Sequence, residues 1–135
     1  MKVLQAMAGA EFGGAEAFFV RLVRALNRAG LNQRVVIREN KARAQSLRDG
    51  GIEPLELPFG GMLDRRTPRA LKHEIKTFQP QIVMTWMNRA SKMMPKGDFV
   101  QVGRLGGYYD LKYYKTCDHL IGNTQDIVDH IVKQG

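Results

Sequence analysis

Short apolar runs alternate with longer segments of helical periodicity along the whole chain, and that alternation constrains the fold more than any other feature. Six runs read as strands: Lys2–Met7, Gln33–Arg38, Ile52–Leu57, Gln81–Trp86, Phe99–Leu105 and His119–Gly122. Between them lie segments with helical spacing. In Ala15–Ala29, Phe18, Phe19, Leu22, Val23 and Leu26 fall on one arc and Arg21, Arg24 and Arg28 on the opposite one, and Gly30 closes the helix. Lys41–Asp49 reads as a short basic helix closed by Gly50 and Gly51. Thr67 and Pro68 read as a hydroxyl cap followed by proline at the first helical position, with Leu71, Ile75 and Phe78 as the core stripe and Pro80 as the stop. Thr124 caps a last helix with Ile127, Val128, Ile131 and Val132 on one side. Alternating strands and helices dictate an α/β fold, a Rossmann-like, doubly wound and mostly parallel sheet with helices on both faces. The strands are nearly continuous apolar runs, as strands buried on both sides must be. At 135 residues the chain suits one domain.

In such a sheet, ligands bind beyond the carboxyl ends of the strands. The loops after Met7, Leu57, Trp86, Leu105 and Gly122 are therefore the places to look. The first, Ala8–Glu16, carries Gly9, Gly13 and Gly14 and runs into the first helix, whose start offers free N–H groups and a positive dipole end to a phosphate. Its spacing is neither G-x-G-x-x-G nor a Gly-Lys-Ser/Thr loop, which disfavours a dinucleotide fold and a phosphate-loop nucleotidase. Glu39, at the end of the second strand, keeps the dinucleotide reading open, and a glycine turn required by chain geometry alone is an equal alternative. After the fourth strand, Trp86-Met87-Asn88-Arg89 reads as a loop in which an amide and a guanidinium can fork onto hydroxyls or phosphate. Arg89 reads equally as a solvated charge, and Trp86 reads as core. After the fifth strand, Gly106, Gly107, Tyr108 and Tyr109 suit a wall for a sugar ring or a base, or simply tyrosines packing in a turn. Asn123-Thr124 follows the sixth strand, where a helix cap accounts for Thr124 by itself.

Other classes fit less well. The net charge of +8 is concentrated in the first hundred residues, with 9 Lys/Arg against 4 Asp/Glu in residues 1–50 and 8 against 5 in residues 51–100. A basic surface attracts phosphates of some kind, but no recognition helix or nucleic-acid fold signature is present. Arg65, Arg66, Arg69, Lys72 and Lys76 cluster around one helix start beside Met62 and Leu63, and Met93, Met94, Pro95 and Lys96 form a second apolar-plus-basic stretch. These suit an anionic membrane surface or merely a solvated face. His73, His119 and His130 match no metal spacing, and the single Cys117 excludes an internal disulfide and a cysteine zinc site. No run approaches the roughly 18 apolar residues of a membrane span, and the amino-terminal run is too short for a signal peptide, so the chain reads as cytoplasmic.

The ordered set resembles the N-terminal lobe of a GT-B glycosyltransferase, specifically the retaining glycosyltransferase family 4. Gly13–Glu16 (GGAE) follows a first strand and precedes FFVRLVRALNRAG. PQIVMTW follows a polar helix. Gly106–Tyr114 (GGYYDLKYY) precedes Cys117–Ile127 (CDHLIGNTQDI). The resemblance spans essentially the whole chain. It implies an acceptor-side lobe covering residues 1–135, with the donor-binding lobe absent. It further implies transfer of a hexose from a nucleotide-sugar to a glycan or lipid-linked saccharide in cell-envelope (lipopolysaccharide) synthesis, with retention. The nucleotide-sugar is a substrate, no cofactor or metal is expected, and the setting is cytoplasmic or peripheral on the membrane's inner face. Carried over by position, Gly13 and Gly14 would meet the donor diphosphate, and Glu16, Asn88, Arg89, Gly107, Tyr108 and Thr124 would line the cleft. Many relatives carry a histidine where Trp86-Met87-Asn88-Arg89 stands, a departure at the acceptor contact. The second lobe's Glu-x7-Glu motif is missing, since no two of Glu11, Glu16, Glu39, Glu53, Glu56 and Glu74 are eight apart. Such a lobe alone is expected not to turn over, because charge on the leaving diphosphate needs donors from both sides of a closed cleft. The competing reading is a stand-alone Rossmann-like module that binds a nucleotide or phosphorylated ligand without catalysis.

Overall fold

The computed structural model describes residues 1–9, 13–60, 63–105, 111–122 and 124–134. Six strands form one sheet: β1 (Lys2–Met7), β2 (Asn32–Arg38), β3 (Leu55–Leu57), β4 (Ile82–Trp86), β5 (Val100–Leu105) and β6 (His119–Gly122). Their order is β3-β2-β1-β4-β5-β6, and every pairing is parallel. The order reverses between β1 and β4, so the crevice of the fold opens where these two strands end, at Met7 and Trp86.

Strand alternation divides the core. Val35, Ile37, Met7 and Trp86 point to the face covered by α1 (Gly14–Arg28) and α2 (Lys41–Asp49), where they pack on Phe19, Val23, Ala44 and Leu47. Leu4, Ala6, Val36 and Val83 point to the other face, against Leu71 of α3 (Arg66–Phe78) and Ala90 and Met94 at α4 (Met87–Met93). A third cluster joins Leu105 and Tyr114, in a 3-10 turn over Leu111–Tyr114, to Ile127 of α5 (Gln125–Gln134).

Several expectations are corrected. β3 begins at Leu55 rather than Ile52, because Gly51 turns at φ 83 and the Ile52 amide bonds back to Leu47 O of α2. Ile52 is core, but as part of the helix end. Thr67 does not cap α3. Asp64 does, accepting from the amides of Arg66 (3.0 Å) and Thr67 (3.1 Å), while the Thr67 hydroxyl is buried inside the turn. The segment Trp86-Met87-Asn88-Arg89 is not a loop: the chain turns directly from β4 into α4. Met94, expected on a surface stretch, is core, fixed by the helix that precedes it. On α5, Ile127 is buried but Val132 is 71% exposed, since the helix meets the sheet only through its first turns. Thr124 does cap α5, accepting from the Ile127 amide at 3.3 Å.

Candidate functional site

The turn from β4 into α4 is abrupt. Met87 takes a left-handed φ of 67, a conformation that costs a non-glycine residue about 1–3 kcal/mol. Its neighbours hold it there. Trp86 and Ala90 are buried on opposite faces, and the Ser91 hydroxyl bonds Met87 O at 2.7 Å and the Thr85 hydroxyl at 2.9 Å. Trp86 is anchored by its indole N–H to Gln5 Oε1 (3.0 Å). The edge of Phe19 packs on its ring, and the guanidinium of Arg104 lies 4.6 Å above it. Burial lowers the Arg104 pKa. This strained, clamped junction sits at the sheet's switch point and aims Asn88 and Arg89 beyond the strand ends.

Asn88 and Arg89 help line a cavity of about 570 Å3, together with Gly60, Asp64, Lys92 and Tyr113. Its walls are set by hydrogen bonds within the protein. Asn88 Oδ1 accepts from the Tyr114 hydroxyl at 2.7 Å. Arg89 Nη1 donates to Phe59 O at 2.8 Å, holding the β3–α3 loop where Phe59 turns through φ 44. Across that loop, Asp64 accepts from the Gly60 amide at 2.8 Å and from the Thr67 hydroxyl at 2.5 Å, and Thr67 Oγ1 accepts from the Phe59 amide at 3.0 Å. These bonds, led by that from Thr67, hold the Asp64 carboxyl down at about 2. Among the described residues the Asn88 amide nitrogen meets no hydrogen-bond acceptor, and it can donate to a hydroxyl or phosphate oxygen in the cavity.

The glycine loop faces a different cavity. Gly13 and Glu16 lie at one end of a groove of about 740 Å3 between α1 and α2. Gly9 and Gly13 have a steric reason to be glycine: a Cβ on Gly9 would meet Glu16 Cγ at 2.6 Å, and one on Gly13 would strike the Glu16 carboxylate. Gly14 differs. A Cβ there would meet nothing within 4 Å, and the residue opens α1, so its N–H belongs to the free helix start. Glu16 is buried and electrostatically coupled to Arg43 of α2, which is itself buried. Thr124 is exposed at the sixth strand's end and lines neither cavity. Gly107 and Tyr108, like Ala10–Phe12, Met62, Tyr109 and Asn123, lie outside the described residues.

Sequence reasoning found Asn88 and Arg89 but missed Tyr114, Asp64 and Thr67 as the residues that fix the cavity, and Arg104 as the cation stacked on Trp86. An Asp three residues before Thr67 was a readable capping signal; the Tyr114–Asn88 contact spans 26 residues and had none. Among the described residues, no three His, Cys, Asp or Glu side chains gather as a metal site, and no helix is long and apolar enough to cross a membrane.

A six-stranded parallel sheet wound on both faces, with its crevice at a β1/β4 switch point, is a Rossmann-like doubly wound fold. The lipopolysaccharide outer core galactosyltransferase WaaB, in its apo form, superposes on the whole chain with a TM-score of 0.69 at 17% identity, the chain covering 43% of that structure. In sequence the chain is similar to two proteins of Rhizobium meliloti (strain 1021). It is 36% identical over 128 residues to the lipopolysaccharide core biosynthesis glycosyltransferase LpsE, covering 91% of this chain and 37% of that protein. It is 34% identical over 142 residues to the lipopolysaccharide core biosynthesis glycosyltransferase LpsD, covering all of this chain and 40% of that one. The chain thus spans about two-fifths of the length of these curated relatives. No protein-family model matches it.

Proposed function

We propose that the chain is the N-terminal, acceptor-side lobe of a glycosyltransferase of lipopolysaccharide core biosynthesis. It would transfer a hexose from a nucleotide-sugar, with retention, once joined to a donor-binding lobe. The observation that carries this reading is similarity over nearly the whole chain to two lipopolysaccharide core glycosyltransferases, combined with a cavity at the switch point of the sheet. In this reading Asn88 donates to an acceptor hydroxyl and Arg89 keeps the β3–α3 loop in place as the cavity's far wall. Gly14 leaves the start of α1 open to the donor diphosphate, whose charge the helix dipole favours. Glu16, buried against Gly9 and Gly13, supports the loop from behind. No metal is required, because the charge on the leaving diphosphate is met by hydrogen-bond donors from both lobes.

The exposed cations Arg65, Arg66, Arg69, Lys72 and Lys76, beside a Leu63 that is 94% exposed, give this lobe a peripheral contact with an anionic membrane at the cytoplasmic face. The test is transfer by the full-length protein, offered UDP- and GDP-hexoses and a truncated lipopolysaccharide acceptor, with nucleoside diphosphate release and product mass followed together. Acceptor-dependent gain of one hexose, with the donor's anomeric configuration kept in the product NMR spectrum, is the expected result. Failure to extend any saccharide acceptor would reject the reading.

A further inference from the structure

The groove between α1 and α2 carries charge that the switch-point cavity does not need. Among the described residues, four guanidinium groups line it (Arg21, Arg24, Arg28 and Arg43) against one carboxylate, Glu16. Arg43 and Glu16 lie close enough to compensate each other. That leaves Arg21, Arg24 and Arg28, none of which has a carboxylate partner among the described residues. The Nε of Arg24 is buried and has no hydrogen-bond partner among them. A buried, unsatisfied cationic donor is costly unless something fills it.

The groove is also built to hold Arg24 where it is. Its side chain crosses Gly50 at the end of α2, where an added Cβ would meet Arg24 Cγ at 2.6 Å and Nε at 2.5 Å. The φ of −90 at Gly50 is one that any residue adopts, so glycine there serves the space and not the backbone. Arg21, Arg24 and Arg28 stand three and four residues apart on one face of α1, so successive charges are separated by about one helical turn, roughly 5 Å. Gly13 at one end and Arg28 at the other are fifteen residues apart, about 22 Å of helix. A single phosphate fills a fraction of that length. One diphosphate can engage two neighbouring arginines a helical turn apart and leaves the rest of the groove's length empty.

From these observations we infer that the α1–α2 groove binds an extended saccharide bearing anionic substituents, phosphate or carboxylate, on separate sugar residues. This deepens the transferase reading and rests on it only in taking that saccharide to be the acceptor; the binding itself does not require turnover. The groove is concave, and the apolar side chains among its described lining are the small Ala17, Val20, Ala25 and Ala42. Those features favour a threaded glycan over a lipid surface, which would want a convex face with large exposed apolar side chains.

The test is calorimetric titration of the full-length protein with a bisphosphorylated glucosamine disaccharide and with the same disaccharide lacking phosphate. Co-flotation with phosphatidylglycerol vesicles forms a second arm. The bisphosphate should bind more tightly than the neutral sugar. Arg24→Gln with Arg28→Gln should weaken the bisphosphate about tenfold or more and leave the neutral sugar unchanged. Gly50→Ala, which displaces Arg24 without removing it, should give a partial loss. Exposed Arg21→Gln gives the same readout without disturbing packing. Vesicle flotation should be unaffected by all of them. Equal affinity for the two sugars, unchanged bisphosphate affinity in the variants, or a loss seen in flotation but not with the soluble sugar would each overturn the inference. A protein that transfers no hexose yet loses bisphosphate affinity in these variants would sink the transferase reading and leave the groove standing.

Discussion

The two cavities are made from similar residues and differ in how much of their polar capacity is already used. At the switch point, Asn88 is met by Tyr114, Arg89 by Phe59 O, and Asp64 by Gly60, Arg66 and Thr67. That cavity is held rigidly, presents shape, and leaves a few donors such as the Asn88 amide. In the α1–α2 groove, Arg21, Arg24 and Arg28 have no carboxylate partner among the described residues, and the groove presents charge. One lobe thus separates precision from attraction. Groups that must orient a reacting hydroxyl are locked by their neighbours, and groups that must hold a charged substituent are left open.

The contrast breaks most severely if the clamp at the switch point is removed. Trp86→Ala takes away a fully buried ring that carries Phe19, Arg104 and the Gln5 bond, and should cost about 3–5 kcal/mol in denaturant unfolding. A change well under 1 kcal/mol would mean that the junction is not held as described. The glycine loop gives a graded test. Gly9→Ala forces a methyl into the Glu16 side chain and should destabilise by about 1–3 kcal/mol. Gly14→Ala meets open space at a helix start and should be neutral or stabilising by up to about 1 kcal/mol. If Gly14→Ala nevertheless weakens nucleotide-sugar binding, its glycine serves the ligand rather than the fold.

Asp64 sharpens the same comparison through pH. Its folded pKa of about 2 lies below the ordinary 3.8, so its stabilising contribution is complete above the ordinary value and is lost as pH falls through about 2. Asp64→Asn should lower the melting temperature at neutral pH and flatten its decline in that acid window; an unchanged acid limb would contradict the cap. A small loss is expected for Tyr114→Phe, which removes one neutral hydrogen bond to Asn88, about 1 kcal/mol by thermal melting.

The architecture was legible because it rests on local signals. The apolar runs at Lys2–Met7 and Ile82–Trp86 are strands whatever surrounds them, and Gly30, turning at φ 89, ends α1 where the sequence places it. Reading failed where tertiary contacts outweigh local preference. Nothing in Met87-Asn88-Arg89-Ala90 marks a helix start, since the helix begins with a strained methionine fixed by buried Trp86 and Ser91. Asn88 and Arg89 could be singled out as polar residues at a strand end, whereas Tyr114, the long-range partner of Asn88, could not. Arg21, Arg24 and Arg28 were visible as a charged arc, but an arc reads as solvated until α2 is laid beside it. The site was therefore legible in its positions and not in its pairings.

The central claim is that the switch-point cavity receives the acceptor hydroxyl through Asn88. The most direct measurement is steady-state transfer by the full-length protein carrying Asn88→Ala, with acceptor and donor concentrations varied separately. The account predicts an acceptor KM raised about tenfold with the donor KM unchanged and the melting temperature within a few degrees of the parent. A donor KM that rises while the acceptor KM stays put would assign the cavity to the wrong substrate and contradict the account.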